Sequence, residues 1–462
     1  MTDDPRATGT VETPDEELQQ ISRAELTAAA ASTEAVVEGG LGDYFRTYLQ
    51  RVRGGDLGSL PAAGGLVVLV AIFWALHPAF GTLGNFAALL QQAGATIFIA
   101  MGLVFVLLLG EIDLAAGTAA GVCAAVMGRI SVGWGWSWPL AIGAAMLTGI
   151  AIGVLTGVLC AKIRIPSFVV TLALFLGFQG VVLYVVNNGK GPRGNISITD
   201  SFINDLDNGQ MVPWLGWLLV AIVVVSYAMV KVVHASARAR AHLSSEPMLL
   251  VAIKVAALAV VSIVAVYLLN ENRAANKGQT LLVNQGGKPV AVKVGALEGV
   301  PWVVPLILAF FVIWTFVLTR TRYGRHIYAT GGNEEAARRA GIPVDRIRIS
   351  VFVVNSFMAS IGGVLLASNV RAVAQNAGGG NTLLLAVGAA VIGGTSLFGG
   401  KGRPLDAVIG GLVIAVIANG MSDLVHGTNS SAVQFIVTGV VLLIAAAVDA
   451  LARRRASAAG LG

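Results

Sequence analysis

Apolar stretches of about twenty residues recur along this chain from residue 60 to residue 451, separated by short polar or glycine-rich joints. Twenty residues is roughly what a helix rising 1.5 Å per residue needs to cross about 30 Å of hydrocarbon. Twelve such windows are present: 60–80, 86–109, 114–131, 138–161, 166–187, 213–233, 248–269, 301–319, 349–368, 383–399, 404–422 and 431–451. Inside lipid every backbone N–H and C=O must be satisfied within the chain, so continuous helices are the spanning form. The pattern predicts an all-α fold, a polytopic membrane helix bundle of about twelve segments. The windows 114–131 and 383–399 are short enough to be broken or re-entrant.

Ahead of the first window the pattern disappears. Residues 1–43 hold ten acids and two arginines among Ala, Thr, Ser and Gly, with no apolar core segment. Such a stretch buries too little apolar surface to offset its ordering entropy, so it reads as a disordered acidic cytoplasmic tail. It lacks the basic n-region and apolar h-region of a cleaved signal peptide. Residues 44–455 form the expected transmembrane domain, and 456–462 a short cytoplasmic tail. Composition agrees: 56% of residues are hydrophobic and 12% charged, too few charges to cover a soluble surface. Mean hydropathy is +0.78. Cys123 and Cys160 both fall inside apolar runs, so no disulfide framework is expected.

Charge then orients the spans. With the N-terminus in the cytoplasm, twenty basic residues fall on inside segments, including Arg320, Arg322, Arg325, Arg338, Arg339, Arg346, Arg348 and Arg453 to Arg455. Eight fall outside, among them Lys190, Arg193, Arg273 and Arg371. Positive residues stay cytoplasmic, so twelve spans with both termini inside is the economical topology. The two long outside loops, 188–212 and 270–300, are polar and Asn/Gly-rich.

Inside the spans glycine has a packing role. Ala145, Gly149, Gly153, Gly157 and Ala161 recur at four-residue spacing, a stripe of small residues that lets two helix backbones approach closely in lipid. Catalytic chemistry is hard to place. A phosphate-binding loop needs G-x-x-x-x-G-K-[ST], and at Gly400–Lys401 a threonine, Thr395, occupies the first glycine position while Gly402 follows the lysine. The five histidines are scattered singly, without a metal-ligand spacing. Uphill transport by such a chain would borrow energy from an ion gradient or a separate subunit.

The loop 320–348 is the most informative stretch. Asn333 is a good N-cap, Glu334 and Glu335 put negative charge at the positive end of a helix dipole, and Arg338 and Arg339 follow each acid by four residues. Gly341 suits a left-handed cap and Pro343 prevents continuation. A helix of about eight residues is marginal alone and lacks a strong apolar face, so docking to protein is the expected reason for its existence.

Gly331 through Arg348, G-G-N-E-E-A-A-R-R-A-G-I-P-V-D-R-I-R, resembles the cytoplasmic coupling segment of ABC importer permeases of the ribose/xylose/galactose class. Three further stretches resemble the same family in the same order: Gly110-Glu111-Ile112-Asp113-Leu114, Ile165-Pro166-Ser167-Phe168-Val169-Val170-Thr171-Leu172, and Gly393-Gly394-Thr395-Ser396-Leu397-Phe398-Gly399-Gly400. The similarity covers about 60–452, and Glu111 and the chain length look most like the xylose permeases. The resemblance implies a multi-pass protein of the bacterial inner membrane, working as a homodimer or pseudo-dimer. It also implies a docked ABC ATPase subunit and an extracytoplasmic sugar-binding protein that delivers the sugar. ATP and magnesium would bind in the ATPase, leaving no cofactor in this chain, no enzymatic activity and no nucleic-acid partner. Gly332, Asn333, Glu334, Glu335, Ala336, Arg338, Arg339 and Gly341 would form the coupling contact. Ala115 replaces the usual serine, and Asn381-Thr382-Leu383 stands where many sugar permeases carry an acid.

Ionisable groups at membrane depth are costly enough to suggest a task. Glu111 and Asp113 lie between two apolar windows, where they would either cap the helix from Leu114 or serve a gate. Asn355, Asn369, Gln375 and Asn376 suit sugar hydroxyls, because amides both donate and accept. An ion-coupled secondary transporter of a small polar solute is the alternative; it would be expected to show paired carboxylates or a basic partner in mid-span.

Overall fold

A computed structural model of the chain describes residues 59–188, 194–240, 248–274, 280–285, 288–293, 296–424, 432–444 and 447. The segments 1–43 and 456–462, and with them the sidedness of both termini, lie outside the described residues. The chain divides into two compact units, one of 1–53 with 224–258 and a larger one of 54–223 with 259–462. The described part of the smaller unit is helical, and the larger unit holds the core and both cavities described below.

The fold is all-α. Its helices are α1 (Leu60–Leu76), α2 (Leu83–Leu108), α3 (Ala116–Gly128), α4 (Trp138–Ala161), α5 (Ser167–Asn187), α6 (Ser201–Asn208), α7 (Pro213–Arg240) and α8 (Met248–Asn270). After these come α9 (Val303–Arg320), α10 (Arg322–Gly332), α11 (Glu334–Arg339), α12 (Val344–Val370), α13 (Gly380–Gly393), α14 (Pro404–Leu424) and α15 (Ala432–Ile444). Two small antiparallel pairs interrupt the helices. One joins β1 (Asn195–Ser197) to β4 (Ala372–Ala374), the other β2 (Thr280–Gln285) to β3 (Lys288–Lys293).

Among the described residues nine helices are long and apolar enough to cross a membrane, and three shorter apolar helices fill the remaining windows: Pro61–Leu76, Gly380–Gly393 and Ala432–Ile444. The first window overshoots because Pro78 opens a 3-10 turn. The tenth overshoots because a glycine-rich run reads as apolar although its backbone has left the helix: Gly394 has φ 121°, Gly399 88° and Gly400 73°. Part of the last window lies outside the described residues. The described residues 194–212 of the outside loop hold β1 and α6.

The core sits on α2 and α12. An apolar helix without a polar face belongs inside, and Phe98, Met101, Phe105, Leu107 and Leu108 of α2 are fully buried. They meet Phe352 and Met358 of α12 in one cluster. The small-residue stripe of α4 packs on α12 as its spacing requires. A Cβ on Gly153 would lie 2.5 Å from Val353 Cα, one on Gly149 2.6 Å from Ser356 O, and one on Gly157 2.8 Å from Ile349 Cα. By contrast α9 leaves Val312 and Phe316 exposed, a face suited to lipid.

The connections gather at two ends of the larger unit. At one end the Leu108 carbonyl accepts from Gly400 N, Tyr328 Oη donates to the Gly402 carbonyl, and Ile112 N donates to Ser167 Oγ. At the other, β1 pairs with β4 and Trp302 N donates to the Gly209 carbonyl. The first group comprises segments that the charge pattern places inside, the second those it places outside.

Candidate functional site

The inside end carries α11. Asn333 Oδ1 accepts from Ala336 N at 2.9 Å, Gly341 is left-handed at φ 80°, and Pro343 stands as the N-cap of α12. Glu334 pairs with Arg338 at 3.0 Å and Glu335 with Arg339 at 3.2 Å. The local pattern is the one the sequence predicts, in a helix shorter by two residues. Partners separate the two acids, however. Glu335 and Arg339 are 67% and 79% exposed, whereas Glu334 also reaches Arg348 of α12 at 3.0 Å. Arg348 in turn holds Glu111 at 2.7 Å, both side chains more than four-fifths buried. Gly332 and Ala336 flank the cap, and Arg338 completes the set by reaching Asp345 at 3.4 Å. A cavity of about 550 Å³ opens beside this network, lined in part by Glu111, Arg164, Ser167, Glu335 and Arg338.

Asp113 is buried behind Glu111. Its Oδ1 accepts from Ala115 N at 2.7 Å and its Oδ2 from Asn355 Nδ2 at 2.5 Å, so it caps the turn into α3 and bonds across to α12. Asn355 is therefore Asp113's partner rather than a cavity-lining residue, and it is fully buried.

At the outside end a second cavity of about 580 Å³ is lined by Leu176, Gln179 and Leu183 of α5 together with Gln375, Asn376, Asn381 and Thr382. Among the described residues its polar side chains are amides and one hydroxyl. Gln375 Nε2 donates to Asn187 Oδ1 at 2.6 Å. The structure thus brings Gln375 and Asn376 together and adds Gln179, Asn381 and Thr382. Gln179 was legible as a lone amide in an apolar span, but nothing in the sequence pairs it with a residue two hundred positions away.

Asn369 has a different partner. Its Nδ2 donates to Asp207 Oδ2 at 2.6 Å, while Gln91 Nε2 donates to the Asp207 carbonyl and Asp207 N donates to Ser368 Oγ. These bonds lock α6 onto α2 and α12. Burial of the carboxyl pushes the Asp207 pKa up to about 7, with the Asn369 bond pulling it partly back. An unfolded Asp titrates near ~3.9. Between these values the folded chain keeps a proton that the unfolded chain has lost, so stability falls as pH rises from about 4 to about 7 and is flat above. Asp207→Asn, with the Asn369 amide turned over to accept, is expected to flatten that slope. Thermal unfolding of the detergent-purified chain at pH 5 and pH 8 checks this, and an unchanged gap between the two pH values would refute it.

A helix bundle of this length, with a charged helix outside the apolar spans at one end and an amide-lined cavity at the other, has the organisation of a membrane permease. Residues 85–446 match the family described as branched-chain amino acid transport system / permease component, and the chain belongs to that family. It is 32% identical over 390 residues to the xylose transport system permease protein XylH of Escherichia coli K12, covering 84% of this chain and 91% of the relative. To the protein of the same name from Haemophilus influenzae it is 31% identical over 385 residues, covering 83% and 94%. To the ribose import permease protein RbsC of Escherichia coli K12 it is 30% identical over 384 residues, covering 83% and 91%. No solved structure matches. The class read from the four motifs is upheld, and the chain is a multi-pass permease of the bacterial inner membrane.

Proposed function

We propose that this chain is the membrane-spanning subunit of an ATP-driven sugar importer, carrying xylose or a related pentose by alternating access. A separate ABC ATPase subunit would bind ATP and magnesium and dock on α11, and an extracytoplasmic binding protein would deliver sugar to the opposite end. Two copies of the chain would work together. The observation that carries the reading is α11 itself: a capped six-residue helix whose Glu335–Arg339 pair stands exposed, with no apolar face to bury in lipid. Residues of that kind are spent on a protein surface, where exposed charge fixes register and partner choice.

The amide-lined cavity supports a neutral, hydroxyl-rich cargo. Gln179, Gln375, Asn376, Asn381 and Thr382 each offer donors and acceptors, matching sugar hydroxyls that do both. The cargoes named for the relatives above, xylose and ribose, are both pentoses.

Reconstitution tests the reading. Proteoliposomes holding the chain are expected to take up labelled xylose only when the cognate ATPase subunit, the binding protein and ATP are all supplied, and Glu335→Lys should abolish uptake by weakening capture of the ATPase. Uptake by the chain alone, collapsed by dissipating an ion gradient, would overturn it in favour of an ion-coupled transporter.

A further inference from the structure

We propose that Arg348 is a positioning residue that transmits movement of α11 to the sugar-facing helix α5. The proposal deepens the importer reading and rests on it.

Arg348 lies within the first two turns of α12 and uses two different nitrogens on two carboxylates from distant parts of the chain. Its Nε holds Glu111 Oε1 at 2.7 Å, and its Nη2 holds Glu334 Oε2 at 3.0 Å. A planar guanidinium fixes both bonds in one rigid fork, which a lysine ammonium cannot reproduce. Arg348 and Glu111 are only 18% and 15% exposed, so solvent and salt screen the pair weakly.

Glu111 belongs to a short non-helical segment between α2 and α3, where Gly110 takes φ 72°. Two attachments hold that segment. Asp113 is pinned into the core by Asn355. Ile112, between the two acids, is bonded to α5: its N–H donates to Ser167 Oγ at 3.3 Å, and Thr171 Oγ1, whose hydrogen goes to the Ser167 carbonyl at 2.8 Å, stands 3.3 Å from the Ile112 carbonyl. Ser167 and Thr171 are one turn apart at the start of α5, and Gln179 and Leu183, about two and three turns further along the same rod, line the outside cavity. A continuous set of named bonds therefore runs from α11 through Glu334, Arg348, Glu111 and Ile112 to α5 and ends at the amides.

The same geometry divides the labour on α11. Glu334 shares its two oxygens between Arg338 and Arg348 and so turns toward α12, whereas Glu335 pairs only along α11 with the exposed Arg339. Glu335 and Arg339 would capture the ATPase; Glu334 would carry its motion. Spatial continuity alone does not establish coupling, so the test must separate the two roles.

In the full chain with its ATPase subunit and binding protein in proteoliposomes, Arg348→Lys and Glu111→Gln are each expected to co-purify the ATPase at wild-type levels and to hydrolyse ATP. Sugar moved per ATP should fall about tenfold, within the range of ordinary allosteric couplings. Glu335→Lys should instead lose co-purification. Wild-type transport per ATP in both Arg348→Lys and Glu111→Gln would overturn the relay, as would loss of ATPase co-purification matching that of Glu335→Lys. Wild-type vesicles that transport nothing with all components present would overturn the importer reading itself, which separates the two failures.

Discussion

Leucine at position 153 is expected to prevent the bundle from assembling. Even the first atom of a side chain there would lie 2.5 Å from Val353 Cα and 2.6 Å from the Phe352 carbonyl, both rigid backbone of α12. Ordinary overpacking costs about 1–3 kcal/mol because flexible side chains give way; two helix backbones offer no such escape, so the cost at Gly153 should exceed that range. Gly143 lies on the same helix with nothing within 4 Å of its would-be Cβ, and Gly143→Leu should be nearly silent. Size-exclusion profiles and thermal unfolding of the two variants in detergent decide the matter. A monodisperse Gly153→Leu chain with wild-type melting would show that the α4–α12 contact is not what holds the bundle together.

That contact also shows what a sequence discloses. The four-residue stripe was legible because backbone proximity demands small residues at helical spacing, and the demand leaves a periodic trace. The helix α11 was legible for a similar reason, since caps and four-residue ion pairs are local. Among the described residues each of the nine helices long and apolar enough to cross a membrane falls on an apolar window, and the misplaced ends had local causes too: the left-handed glycines after α13 count as apolar by composition although their backbone leaves the helix.

Contacts between distant segments left no trace. Glu334 and Glu335 look equivalent in sequence, yet one reaches Arg348 and the other pairs along α11, a difference set by the path of α12. Arg348 itself counts in the sequence only as one more inside charge. Asn355 and Asn369 look as suitable for sugar as Gln375 and Asn376, but the structure gives the first to Asp113 and the second to Asp207. An amide is versatile, and its chemistry alone does not say which partner it takes. Asp207 drew no notice because loop acids are common and its burial depends on α6 folding onto α2 and α12.

Replacing Asn355 with leucine should be nearly as damaging as Gly153→Leu, for an electrostatic reason. Leucine keeps the branched outline of the asparagine side chain, so the packing beside Gly102, whose added Cβ would sit 2.9 Å from Asn355 Oδ1, changes little in shape. What disappears is the donor to Asp113 Oδ2. Asp113 is 3% exposed, and water has little room to take the donor's place. Removing the donor to a buried carboxylate typically costs about 1.5–3 kcal/mol, against about 1 kcal/mol for an ordinary lost hydrogen bond. Asp113→Asn removes the charge while preserving an acceptor for Ala115 N, so alone it should cost much less. Combined with Asn355→Leu it should also soften the larger defect, because no carboxylate remains to be stranded. The double-mutant cycle is therefore expected to be strongly non-additive, with the double variant unfolding at a higher temperature than Asn355→Leu alone. Additive losses would mean that Asp113 is held by its backbone bonds and not by Asn355. In that case the segment between α2 and α3 would lack the fixed point against which Glu111 is drawn by Arg348.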